Sequence, residues 1–264
     1  MRNLLNRDKN LLGCVCNNTE KHPPVKATFV GCSSKEKQLF STSTCLLSIS
    51  VGSQAHEGQK FLATIKLINR NFKACDIFIA DTIHKYTLKL TYPEKDISML
   101  HDLARRDGNS WLQRNKQTYE QLTIPYKITR CDEYLQHSLF QEKLDEINKL
   151  YDVDQTYRNI FKSNIEQYLI RHKKREQIFK ISDALAFSYC LQYLKEECAI
   201  FYLLAEKQYN YEIYPSQRCI AMAATYERLI KPFYPNFLKP IELKFKTKIR
   251  RTMQQEDVAC QLQV

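Results

Sequence analysis

Glycine and proline are scarce, with five and eight residues among 264, against thirteen phenylalanines and sixteen tyrosines. So few turn formers beside so many aromatics point to packed secondary structure with few long flexible loops. No apolar run approaches the roughly 18–20 residues of a membrane span, and the opening MRNLLNRDKN lacks the continuous apolar stretch of a secretory signal. The ten cysteines (14, 16, 32, 45, 75, 131, 190, 198, 219 and 260) form no Cys-x-x-Cys pair, and the six histidines form no His-x-x-x-His pair. Neither a disulfide scaffold nor a metal site is expected, and reduced structural thiols agree with the cytoplasm. Gly-x-x-x-x-Gly-Lys-Ser/Thr, Gly-x-Gly-x-x-Gly and the lysine-serine loop of adenylate transfer are also missing. An enzyme without them is not expected to activate its own substrate with a nucleotide.

What is present is a chain long enough for one large α/β domain, 44% hydrophobic, and strongly basic: forty Lys+Arg against twenty-nine Asp+Glu give a net charge of +11. That balance favours a polyanionic partner, and without a membrane segment nucleic acid is the expected one.

The chain divides into a polar tail with an edge strand near Lys26 to Val30 (residues 1–40), a single catalytic domain (41–246) and a basic tail (247–264). STCLLSIS, from Ser43, has the β-branched and apolar density of a buried strand and ends in the turn-like SVGSQ. Between Glu57 and Phe72, apolar Phe61, Ile65, Ile68 and Phe72 recur at spacings of four, three and four, which predicts a helix. CDIFIADT, residues 75–82, reads as a second strand and Tyr126 to Arg130 as a third. Strand, turn, helix, strand is a βαβ unit. It predicts a Rossmann-type parallel sheet flanked by helices, with ligands at the carboxyl ends of the strands. Helices are expected near 94–121, 132–148, 154–172, 176–206 and 216–231, with strands near 209–214 and 241–246.

Ser50 falls at a strand end before Gly52 and a helix, where main-chain N–H groups and the helix dipole can stabilise an oxyanion. Ser48-Ile-Ser50-Val-Gly52 is one residue from the Gly-x-Ser-x-Gly elbow of α/β-hydrolases, but the last histidine, His172, lies in a basic helical stretch unsuited to a triad. A hydroxyl satisfying strand-end main chain is the competing role. In the helix through ISDALAFSYCLQYLKEECAIFYLLAE, a polar stripe runs through Ser188, Gln192, Lys195 and Glu196. Glu197 is off that stripe, on an apolar arc with Tyr193 one turn earlier. A carboxylate buried there needs a cation, either a core Lys or Arg or a substrate ammonium. Tyr214 ends its strand at Pro215, on the side of Asn210 and Glu212, where a phenol can relay a proton. Arg105, Arg106, Arg114 and Lys116 share one helical segment with Trp111, and a second basic cluster occupies 171–175. These read either as solvated faces or as phosphate-binding strips.

In this order, LLSISVGS, DIFIADT, the basic helix, YLKEE and YP resemble the tRNA-dependent cyclodipeptide synthases over about Cys45 to Lys231. The family's domain is similar to the catalytic domain of class I tyrosyl- and tryptophanyl-tRNA synthetases. The resemblance implies Ser50 as the acyl-accepting serine, Tyr193 and Glu197 as the Tyr-x-x-x-Glu pair, Tyr214 as the catalytic tyrosine, and Arg105, Arg106, Arg114 and Lys116 on the tRNA-holding helix. Ser53 and Pro215 mark the subgroup named for a variable residue followed by Tyr and Pro. It also implies a monomer that uses two aminoacyl-tRNAs, with no cofactor and no metal, in a ping-pong route to a diketopiperazine. A serine hydrolase of small esters and a non-catalytic RNA-binding protein are the alternatives.

Overall fold

A strand that is apolar on both faces has to be covered on both sides, and that requirement sets the layers of this protein. The computed structural model describes residues 24–176, 181–215 and 217–247. Residues 1–23 and 248–264, the bulk of the two expected tails, lie outside the described residues. Val25–Lys246 make one compact unit. In chain order it contains β1 (Val25–Val30), α1 (Ser34–Leu39), β2 (Thr44–Ser50), α2 (Gly58–Asn71), β3 (Ala74–Ala80), α3 (Lys85–Thr91), α4 (Ile97–Tyr119), β4 (Tyr126–Arg130) and α5 (Cys131–Leu135). Then come α6 (Phe140–Val153), α7 (Gln155–Glu176), α8 (Asp183–Glu206), β5 (Tyr211–Tyr214), α9 (Ile220–Thr225) and β6 (Lys239–Thr247).

The strands form one sheet in the order β1-β6-β5-β2-β3-β4, and β6, β5, β2, β3 and β4 run parallel. From β2 the chain moves outward through β3 to β4, then returns to the other side of β2 for β5. The reversal between β2 and β5 opens a crevice at their carboxyl ends, the usual ligand position in such a sheet. Cys45, Leu47 and Ile49 of β2 face Phe61, Ile65 and Ile68 of α2 and Trp111 of α4. Leu46, one residue out of phase, faces Phe201 and Leu204 of α8. Helix α8 packs its other side into a third cluster with Tyr157, Phe161 and Ile165 of α7 and Ala221 of α9, which explains why its sequence is apolar nearly all round. Among the described residues no helix is long and apolar enough to cross a membrane.

Several boundaries differ from the sequence expectation. The helix after SVGSQ does not follow directly: a 3-10 turn at Gln54–His56 intervenes, capped by the Ser53 hydroxyl, which accepts from Ala55 N at 3.4 Å. The single helix expected near 132–148 is two, α5 and α6, and the helix near 216–231 is α9 continued by a π turn over Tyr226–Ile230. Helix α4 starts at Ile97 because Asp96 caps it, accepting from Met99 N at 2.7 Å.

Gly108 does not break α4. A Cβ there would come within 3.0 Å of both Asp81 and Arg130, the ion pair that joins the ends of β3 and β4. Gly108→Ala is therefore expected to destabilise the fold by roughly 1–3 kcal/mol despite the better helix propensity of alanine. Chemical unfolding checks this, with the exposed Ser110→Ala on the same helix as control; a Gly108→Ala protein as stable as the parent would contradict it.

Candidate active site

The turn Ser50-Val51-Gly52-Ser53 closes with Ser53 N donating to Ser50 O at 3.1 Å, and Gly52 sits at φ +86, a conformation that favours glycine. The strand thus stops at Ser50, with its side chain at the crevice. Across that crevice Tyr214 ends β5, on the same face as Glu212, with its phenol close to the Ser50 side chain. Burial and the nearby Glu197 charge raise the Tyr214 pKa, while the Ser50 side chain works the other way. Pro215 follows at once and ends the ladder.

Helix α8 supplies the opposite wall. Tyr193 Oη donates to Glu197 Oε1 at 3.2 Å, one helical turn away. Both residues keep part of their surface open to a cavity of about 440 Å³ that Ser50 and Tyr214 also line. Among the described residues no lysine, arginine or histidine forms an ion pair with Glu197. Burial raises its pKa to about 7, opposed by the Tyr193 bond and reinforced by the Glu212 charge. A carboxylate held this way is short of a cation. Its neighbour Glu196, from the polar stripe, is itself buried. It accepts from Gln192 at 2.9 Å and Tyr86 at 2.5 Å and pairs with Lys85 at 3.5 Å.

The cavity also contains residues that were not among the expected catalytic ones. Ser48 Oγ donates to Glu212 Oε1 at 2.8 Å, and Arg218 Nε donates to Glu212 Oε2 at 2.6 Å. The Arg218 guanidinium lies against the rings of Phe201 and Tyr226, 4.5 and 4.9 Å from their centroids. Glu212 was legible as sharing a strand face with Tyr214, but no local pattern announces Arg218. Arg171, from the second basic cluster, lines the cavity beside Asn164 and Gln167. The side chains of His172, Lys174 and Arg175 lie outside the described residues.

Arg105, Arg106, Arg114 and Lys116 are exposed on α4 and do not line the cavity. Arg105 pairs with Asp132, Arg114 with Glu57 at 2.9 Å and Lys116 with Glu120 at 3.7 Å. The expected main-chain oxyanion site changes in one respect: the Ser50 N–H is taken by His56 Nδ1 at 2.9 Å, and α2 begins only at Gly58.

A parallel α/β sheet with a serine, two tyrosines and an unpaired carboxylate around a cavity at its chain reversal defines a Rossmann-type enzyme. A solved cyclodipeptide synthase from Fluoribacter dumoffii aligns at 41% identity and TM-score 0.82, covering 85% of this chain and 99% of its own. The chain belongs to the cyclodipeptide synthases, and so is an aminoacyltransferase. The fold is shared at lower identity by the Candidatus Glomeribacter gigasporarum synthase bound to Phe-tRNAPhe (19%, TM-score 0.65, 80% of this chain and 92% of that one). It is shared too by a Mycobacterium tuberculosis protein whose structure relates cyclodipeptide synthetases to type I tRNA synthetases (10%, TM-score 0.59, 86% and 94%). No family model and no curated protein sequence matches the chain.

The titration of Glu197 is open to direct measurement. Its folded pKa is raised, so its contribution to stability is complete below the ordinary carboxylate range and is lost as pH rises through about 7. With the glutamate carboxyl carbons labelled and Glu197→Gln used for assignment, its signal is expected to titrate near 7. Tyr193→Phe, which removes the bond favouring the charged form, should move that midpoint upward. A midpoint near 4.5 in the parent would mean that the site already holds a cation.

Proposed function

We propose that the protein joins two aminoacyl groups, both delivered as tRNA esters, into a cyclic dipeptide through an aminoacyl-Ser50 intermediate. The observation that carries this reading is the cavity in which a strand-end serine meets a largely buried carboxylate that, among the described residues, has no cation partner. The Ser50 hydroxyl attacks the first ester carbonyl. The new ester forms as the tRNA ribose oxygen leaves and takes up the proton. The exchange is nearly isoenergetic and needs no nucleotide. The second aminoacyl amine then attacks the acyl-enzyme, forming a dipeptide still esterified to its tRNA or, after transfer, to Ser50. Attack of the free amine on that remaining ester closes the diketopiperazine and expels the alcohol. In the form that fits a ping-pong enzyme, the dipeptide is returned to Ser50 before closure.

Glu197 holds the ammonium of the first aminoacyl group, Tyr193 orients Glu197, and Tyr214, close to Ser50, relays protons during attack and closure. Ser53 and Pro215 assign the chain to the subgroup with a variable residue before Tyr-Pro. The exposed cations Arg105, Arg106, Arg114 and Lys116 contact the tRNA backbone, and the protein acts in the cytoplasm as a monomer. The tRNA-bound state of the Candidatus Glomeribacter gigasporarum synthase supports this choice of substrate. A small-ester hydrolase is less well supported, because His56, the histidine beside Ser50, engages the main chain.

Supplied with one limiting charged tRNA, the protein is expected to gain the mass of one aminoacyl group on the peptide containing Ser50. Ser50→Ala should carry no adduct and yield no cyclic dipeptide while still binding tRNA. Near-normal product from Ser50→Ala would replace the acyl-enzyme by direct aminolysis between two bound tRNAs. A second measurement concerns α4. Changing Arg105, Arg106 and Lys116 together to alanine should weaken tRNA binding and flatten the slope of log affinity against log salt by about 2–3, as three phosphate contacts are lost. An unchanged slope would move the tRNA surface elsewhere, with the 171–175 cluster next to be tested.

A further inference from the structure

His56 was not marked by any motif, yet it is the side chain that grips the main chain of Ser50. It ends the 3-10 turn Gln54–His56 and is 2% exposed. Its Nδ1 accepts the Ser50 N–H at 2.9 Å and lies 3.2 Å from Ser50 O. Its ring stands edge-on to Tyr214, centroids 5.6 Å apart. Its own carbonyl accepts the Trp111 indole N–H at 3.1 Å, which ties the turn to α4.

An imidazole that accepts at Nδ1 is neutral and carries its proton on Nε2. That Nε2 is buried and, among the described residues, has no hydrogen-bond partner. A slot that needed only filling would be served better by an apolar side chain, without the cost of an unpaired buried donor. The acceptor at Nδ1 is the part of the ring that the site uses. Burial pushes the His56 pKa down to about 4, with the Ser50 main-chain bond and the Glu57 charge opposing, so the ring is neutral at neutral pH and Nδ1 can accept the Ser50 N–H. Glu57 is itself engaged by Arg114 and Asn115, both at 2.9 Å.

We propose that His56 is the positioning residue of the acyl transfer: it fixes the Ser50 main chain through Nδ1 and packs Tyr214, so that the two hydroxyls stay within bonding reach. It acts through Ser50 and Tyr214 and touches no substrate. The inference rests on the reading of Ser50 as acyl acceptor. It also removes the Ser50 amide from the set of oxyanion donors, since that N–H is already committed.

The test compares three variants in single-turnover labelling of Ser50 by charged tRNA, with tRNA affinity and unfolding measured alongside. His56→Leu, which lacks the acceptor, should label about 100-fold more slowly, the size of effect that a small misplacement of a reacting group produces. Its tRNA affinity should be unchanged. His56→Asn, whose Oδ1 can take the place of Nδ1, should recover most of the rate, whereas His56→Gln, with its amide one carbon further out, should not. A folded His56→Leu that labels at the parent rate overturns the proposal. So does an asparagine variant no faster than the glutamine one, a comparison that stands even if the leucine variant does not fold. A parent protein that never carries label on Ser50 overturns the acyl-enzyme reading, and the positioning role with it.

Discussion

The central strand is sealed by helices on both faces, and this constraint governs everything else in the molecule. With Leu46, Leu47 and Ile49 fully buried, β2 can offer chemistry only where it ends. The chain reversal between β2 and β5 leaves that end uncovered, so Ser50 and Tyr214 reach the same crevice from adjacent strands. Helix α8, packed across the sheet through Ile200, Phe201 and Leu204, then brings Tyr193 and Glu197 to the cavity wall. The site is a by-product of how the layers pack.

Two carboxylates close to this cavity are treated in opposite ways. Glu212 is neutralised within the protein, by Arg218 and by the Ser48 hydroxyl. Glu197, among the described residues, has a phenol as its hydrogen-bond partner, and burial pushes its pKa up to about 7. A completed buried ion pair has little left to offer a ligand, whereas an incomplete one gains most from a cation that arrives with its own counter-interactions. The contrast separates a residue that shapes the cavity from one suited to hold something in it.

Much of this was legible from sequence because it depends on local periodicity. The spacing Phe61-Ile65-Ile68 gives α2, the two-sided run CLLSI gives β2, and Tyr126 to Arg130 has the same bounds in the sequence expectation and in the structure. The off-stripe angle of Glu197 on α8 also follows from helical geometry alone, as does its bond to Tyr193. What escaped depends on long-range contact. Arg218 meets Glu212 only because the chain turns back after β5, and His56 meets Ser50 because Gly52 adopts a positive φ. The break between α5 and α6 was invisible for a related reason, since a periodic apolar pattern continues across a short non-helical link.

The close approach at Gly108 bears on the mechanics of the basic helix. Arg130 bonds Asp81 and also donates to the main-chain carbonyl of Arg105 at 3.0 Å, at the turn that carries Arg105 and Arg106. That turn is bolted to the ends of β3 and β4 and cannot behave as a swinging arm. A load applied to that turn of α4 passes to the rim of the sheet through Arg130. The main-chain positions of Arg105 and Arg106 are thus braced against the same strand ends that frame the sheet's rim, so corner and helix form one joint.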